Sequence, residues 1–347
     1  MSDKIRVKLL SRIRFEVGQF PNRYPNLEIC EDPAERNYDW LVIYDDLPKQ
    51  GTERFSVAQE TLACSPENTI LITYEPSSIR YYGDQYLGQF RYILTSHEAQ
   101  HIRHPGRIDC PPIGVWYYGS QSDVHADEDT PAKTDDLSIF LSKKAQRHTT
   151  HRLRHEFSHT IAEHFGDRIE TFGKDFRPVD IKAKGLDQFR YTVALENHIG
   201  QHHWTEKLSD AFLGLCLPFY AGCPNAADYF PADSFIPIDM RDASGAIAIM
   251  ERTIRDGLYE KRLPAIREAK RRVIEEYNLQ NIIGRTIEQA VPHENPRFVA
   301  NHTGTIQSRR RMARSSPLKT PVYLIKKMQN RLHFLRQNAA YLKQSKH

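Results

Sequence analysis

No window of this 347-residue chain approaches 18 consecutive apolar residues, so the sequence offers no membrane-spanning helix. The opening MSDKIRVKLLSRIRFEV lacks the apolar core and small-residue cleavage site of a secretory signal. Cysteine is sparse. Cys30, Cys64, Cys110, Cys216 and Cys223 are scattered, with no CxxC pair and no dense framework. That excludes a disulfide scaffold and a cysteine-rich metal site, and it suits buried thiols in a reducing compartment. The expected location is therefore cytoplasmic. Acidic residues are missing from Asn295 onward, where 12 Lys and Arg stand alone. The remainder holds 48 − 12 = 36 basic residues against all 44 acidic ones, a net charge of −8. An acidic body with a basic tail is not the pattern of a nucleic-acid binder, and no nucleic-acid partner is expected.

What is present reads as globular. Hydrophobic residues make up 39% and charged residues 27%, and the length suits two domains. Short apolar, β-branched runs recur at 39–46 (DWLVIYDD), 68–76 (NTILITYEP), 90–97 (FRYILTSH) and 113–119 (IGVWYYG). The polar, acidic stretch 120–136 reads as a linker. A second series then begins. Strands are expected at 137–142, 168–173, 191–197, 217–222 and 234–240, and helices at 151–166, 204–216 and roughly 258–278. Leu153, Phe157, Ile161 and Phe165 form one helical stripe, and Gly166 is a natural stop. Alternation in both halves predicts an α/β protein with two doubly wound domains and a cleft between them.

Two histidine clusters invite a metal. HEFSH places His155, Glu156 and His159 in the H-E-x-x-H pattern of zinc hydrolases. The pattern needs a third ligand, and the positions where one extended form expects Gly and His hold Ala162 and Phe165. Histidines at 148, 151, 155 and 159 would also generate the pattern without a metal. His198, His202 and His203 could bind a metal or could line a polar loop before a helix.

The richest stretch is 191–239. An apolar strand ends in Glu196-Asn197, a polar loop follows, and a helix opens with Thr205-Glu206-Lys207. Thr205 can cap that helix. Lys207 in its first turn opposes the helix dipole, which makes sense if a phosphate or diphosphate sits at the helix start. Glu206 could hold ribose hydroxyls. The other reading is an ordinary surface helix start with a neighbouring charge pair.

This stretch resembles the donor-binding signature of the α1,3-fucosyltransferases, glycosyltransferase family 10. The family runs strand, Glu-Asn, a loop of fixed length, Tyr-Val-Thr-Glu-Lys, an amphipathic helix, Pro-x-x-x-Gly and a Phe-Ile strand. Glu196-Asn197, Thr205-Glu206-Lys207, Pro218, Gly222 and Ser234-Phe235-Ile236 match in order and spacing over about 50 residues. Leu141-Ser142, Arg154 and Gly173 extend the match upstream, and the N-terminal half resembles the family loosely. The resemblance implies a GT-B fold with an acceptor domain at 1–130, a nucleotide-sugar domain at 131–294 and a basic helical tail at 295–347. It implies an inverting transfer of fucose from GDP-fucose to a glycan hydroxyl, of the lipopolysaccharide or surface-polysaccharide type, with no cofactor and no metal. Arg154 and Lys207 would hold the diphosphate and Glu206 the ribose. Asn197 and His203 would line the donor pocket, and Glu75 in TYEPSSI would be the general base. His203 departs from the family, which has an aromatic Tyr there, so another nucleotide-sugar donor remains an alternative.

Against the animal members of the family that it resembles, no membrane anchor is expected here, which would fit a bacterial-type enzyme. Its tail, 309–337, holds a basic amphipathic helix with Val322, Ile325, Met328, Leu332 and Leu335 on one stripe. Two readings stand: contact with an anionic surface on the inner face of the cytoplasmic membrane, or packing back on the body.

Overall fold

The computed structural model describes residues 4–13, 15, 20–49, 51–120, 123–124, 131–141, 150–290, 304–314 and 319–344. Ser142 and His148 lie outside them. The chain divides into two compact units, one of 1–113 with 278–331 and one of 114–277 with 332–347.

The first unit begins with β1 (Ile5–Ser11), β2 (Leu27–Cys30), β3 (Trp40–Tyr44), β4 (Gln59–Thr61) and β5 (Thr69–Ile72). A short helix α1 (Asp84–Leu87), β6 (Tyr92–Thr95) and β7 (Arg107–Asp109) follow. Six strands form one parallel sheet in the order β2-β1-β3-β5-β6-β7. β3 and β5 are buried along their whole length, which is why their apolar runs do not alternate. β1 is harder to read because Lys8 interrupts it. Lys8 is nevertheless fully buried, its Nζ bonded to Glu60 at 2.8 Å and to the carbonyls of Pro33 and Glu35. A buried cation satisfied on three sides replaces the apolar residue that the pattern expects.

The stretch 113–119 is not a strand. The Tyr117 and Tyr118 amides donate to the Asp210 carboxylate at 3.1 and 3.2 Å instead of to a neighbouring strand. Its apolar residues are buried as a loop, with Tyr118 fully covered.

The second unit holds β8 (Asp135–Phe140), α2 (His151–Phe165), β9 (Ile169–Phe172), β10 (Phe189–Leu195), α3 (Glu206–Leu213), β11 (Leu217–Ala221), β12 (Ile236–Pro237), α4 (Ala243–Arg255) and α5 (Leu258–Glu275). Its parallel sheet runs β12-β11-β10-β8-β9. α2 buries the expected stripe of Leu153, Phe157, Ile161 and Phe165, each contributing roughly 1.5–3 kcal/mol of apolar transfer. Gly166 ends it at φ 52°, a conformation cheap only for glycine.

The last segments are α6 (Leu279–Ala290), β13 (Thr305–Gln307), α7 (Arg309–Arg314) and α8 (Lys319–Gln344). They correct the expected boundaries. α6 joins the first unit because Asn281 accepts the Arg23 amide at 2.9 Å and donates to the Pro21 carbonyl at 2.8 Å. The basic tail is no separate domain either. β13 pairs antiparallel with β4, and Ile306 is fully buried in the first unit's core. α8 meets the first unit through Tyr323, whose ring lies 5.5 Å from that of Tyr81 at a tilt of 43°, and through Asn330, bonded to the Ser77 carbonyl. Its apolar stripe faces away, with Val322, Ile325, Met328 and Leu332 43–58% exposed. Among the described residues no helix is long and apolar enough to cross a membrane.

Candidate functional site

In the second sheet β8 leads outward to β9, and the chain then crosses to β10 on the other side. The strand order therefore reverses between β8 and β10. Ligands of doubly wound sheets bind outside the carboxyl ends of the strands at such a point. A cavity of about 300 Å³ lies there, bordered by Leu141 after β8, by the last residues of β10 and by the first turns of α2 and α3. Arg154, Asn197, Glu206 and Lys207 all line it. Four residues nominated from separate stretches of sequence thus meet in one place.

The framework beneath them is Glu196, the last residue before the loop, with no exposure to solvent. Its carboxylate accepts the Thr205 amide at 2.8 Å and the Thr205 hydroxyl at 2.9 and 2.8 Å. Thr205 in turn caps α3 by accepting the Lys207 amide. Lys207 Nζ lies 2.7 Å from Glu206 and 3.5 Å from Glu196. Thr150, the residue before α2, donates its hydroxyl to the Glu196 carbonyl. Glu196 therefore holds the starts of both helices that face the cavity, α3 through its carboxylate and α2 through its backbone carbonyl.

Burial pushes the Glu206 carboxyl up, but the Lys207 and Lys182 charges and its hydrogen bonds outweigh it and hold the group at about 2. Burial dominates at Glu196 and raises it. Lys207 is destabilised as a cation by burial, yet Glu206 and Glu196 more than compensate, and its pKa is raised. Arg154 differs. Burial lowers its pKa, and its guanidinium bonds the Asn197 side-chain oxygen, with no carboxylate paired to it among the described residues. A desolvated guanidinium at the start of a helix, held by a neutral amide, is suited to an anion.

Three contributors had no clear sequence signal. Lys182 comes from a single turn, 182–185, and pairs with Asp210 at 2.8 Å. Asp210 is buried on α3 and also orders the 117–118 loop. His151 lines the cavity at the start of α2. The i, i+4 spacing of Glu206 and Asp210 on one helix face is the one trace they leave in the sequence.

Over 87% of its length the chain superposes on the crystal structure of an α1,3-fucosyltransferase bound to GDP, covering 94% of that chain at a TM-score of 0.50 and 14% identity. The same chain coverage and TM-score hold for the α1,3-fucosyltransferase with GDP-fucose, at 13% identity. The fold is GT-B. No protein-family model matches the chain, and no curated protein sequence matches it. The likeness is one of fold.

The other nominated residues separate from this cavity. His203 does not line it. It is buried, 5.0 Å ring to ring from His198, which packs on Phe334. Trp204 beside it enters an aromatic cluster with Phe230 and Tyr277. Glu75 belongs to the first unit, three residues past β5, with its carbonyl 2.8 Å from His97 Nε2. The H-E-x-x-H residues sit on the outer part of α2. Glu156 is exposed and turned to Arg152 at 2.8 Å, while His155 and His159 meet each other at 3.2 Å. Among the described residues no group of three His, Cys, Asp or Glu is placed to hold a metal ion.

Proposed function

We propose that the chain is an inverting glycosyltransferase that moves fucose from GDP-fucose to a hydroxyl of a glycan acceptor of the surface-polysaccharide or lipopolysaccharide type. The observation that carries this reading is the convergence of Arg154 and Lys207, from the first turns of two helices, on one cavity at the reversal point of the second sheet. The fold likeness to an α1,3-fucosyltransferase supports it.

The chemistry follows from charge. In the transfer the bond between the sugar's anomeric carbon and the diphosphate oxygen breaks, and the electron pair leaves with GDP. Arg154, Lys207 and the two helix starts stabilise that developing charge, the role a metal ion fills elsewhere. Glu206, held ionised, accepts from the ribose hydroxyls, and Asn197 fixes the Arg154 fork. The acceptor oxygen forms its new bond on the opposite face of the sugar and gives its proton to Glu75. A carboxylate at the carboxyl edge of the first sheet suits that task.

α8 carries the peripheral part of the proposal. Its exposed Val322, Ile325, Met328 and Leu332, on a helix whose charged residues are all basic, suit an anionic membrane surface on the cytoplasmic side. Flotation with phosphatidylglycerol vesicles should capture the protein, and M328E/L332E should release it.

Calorimetric titration with GDP, GMP, UDP and GDP-fucose tests the donor reading. GDP should bind, GMP at least tenfold more weakly, and R154Q/K207Q should erase the difference. UDP binding in preference to GDP would replace fucose by another donor, and no binding of any nucleotide would end the reading.

A further inference from the structure

The first sheet has its own reversal point. β1 leads to β2 on one side, and the chain crosses to β3 on the other. The carboxyl ends of β1 and β3 are followed by Arg12 and by Asp45-Asp46, and a cavity of about 420 Å³ opens there, lined by Arg12 and Asp46 and closed by α7 and α8. It lies wholly in the first unit and shares no residue with the cavity described above.

Its charge is one-sided. Arg12, Arg80, Arg309, Arg310, Arg314 and Lys327 line it, against the single carboxylate of Asp46. Asp46 already accepts the Arg309 amide at 2.9 Å. Asp45, behind it, is engaged by the Tyr82 hydroxyl at 2.6 Å and by Arg80 at 3.3 Å. Among the described residues no carboxylate pairs with Arg310, Arg314 or Lys327. Arg80 Nε is shielded from water and has no hydrogen-bond partner among those residues. Burial and the charges of Arg309, Arg80, Arg331 and Arg310 together lower the Lys327 pKa. Like charges lining one cavity repel one another, and a bound anion relieves that repulsion. The walls between them are apolar and aromatic. The Arg310 guanidinium stands 4.1 Å over the Phe55 ring, and Tyr81 and Tyr323 flank the opening.

We propose that this cavity is a binding site for an organic phosphate, its phosphoryl oxygens on the arginine forks and its body against Phe55, Tyr81 and Tyr323. Guanidinium groups match phosphate geometry in pairs, and Arg80, whose buried Nε has no partner among the described residues, has a donor left to give a phosphate oxygen. The turn from Pro76 to Arg80 joins the site to Glu75, since the Arg80 amide bonds the Pro76 carbonyl at 2.8 Å. Resting on the glycosyl-transfer reading, the ligand is then an acceptor that carries a phosphate, held near the base that takes its hydroxyl proton.

The test uses the full chain and octyl phosphate below its micelle concentration, with octyl glucoside as the neutral control. Octyl phosphate should bind at least tenfold tighter than octyl glucoside, inorganic pyrophosphate should compete, and R310Q/R314Q/K327Q should lose the preference. R310K/R314K should retain most of it, which separates charge from a folding defect. R154Q/K207Q should lose GDP and keep octyl phosphate. If GDP fails to bind the wild type while octyl phosphate behaves as expected, the donor reading falls and this site stands. Unchanged octyl phosphate affinity in the triple variant would overturn the site. Binding only to phosphatidylglycerol vesicles, or only to a DNA oligomer, would overturn it too, since either would reveal a charged surface and not a cavity.

Discussion

Glu196 grips Thr205 twice, through its amide at 2.8 Å and its hydroxyl at 2.8 Å, and so sets where α3 begins and where Lys207 points. Glu196→Gln keeps one acceptor oxygen and exchanges the other for a donor facing the Thr205 hydroxyl and Lys207. GDP affinity should fall roughly 10- to 150-fold, the equivalent of the ~1.5–3 kcal/mol of a charge-assisted hydrogen bond. Calorimetry checks this. Unchanged affinity would mean that Thr205 and Lys207 hold their places without the carboxylate.

Gly222 lies against the same acid. A Cβ there would fall inside contact distance of Glu196 Cγ and the Tyr220 hydroxyl. Gly222→Ala should therefore destabilise the second unit by roughly 1–3 kcal/mol, the usual cost of overpacking. Urea unfolding would show the lower midpoint, and a wild-type midpoint would show that Glu196 can shift at no cost.

Acid should weaken the fold through Glu206. Its folded pKa, about 2, lies below the ordinary 4.5, so the charged form is favoured by folding. That stabilisation is complete above pH 4.5 and is lost as pH falls toward 2. The raised pKa of Glu196 acts with the opposite sign, favouring the folded state at low pH. Wild type should lose urea stability across this window more steeply than Glu206→Gln. Parallel slopes would remove Glu206 from the linkage.

Glu75→Gln separates binding from chemistry. On the proposed mechanism kcat should drop 10²–10⁴-fold, the range for a lost general base, while GDP-fucose affinity stays within twofold. Full-rate transfer by the variant would assign the base elsewhere.

His203→Phe tests a residue that the family resemblance implies for the donor pocket and that is buried beside His198. Because His203 is buried beside His198 and away from the cavity, melting temperature should change while the ratio of GDP to UDP affinity does not. A changed ratio would return His203 to the donor pocket.

The sequence alone determined the elements that rest on local pattern. The runs at 39–46, 68–76 and 191–197 became buried parallel strands, and the stripe ending at Gly166 became α2, because burial on both faces or on one stripe writes itself into residue order. Thr205-Glu206-Lys207 was legible for the same reason, since a cap and its helix are neighbours in the chain. Local pattern failed where a distant partner supplied the missing energy. Lys8 sits in the middle of a strand only because Glu60 and two carbonyls meet it, and 113–119 is a loop because Asp210 takes its amides. Tertiary structure alone decided that Lys182 joins Arg154 and Lys207, and that Arg12, Arg80 and Arg310 share one cavity. Parallel sheets bring together strand ends that are tens to hundreds of residues apart, and charge is additive in space, not along the chain.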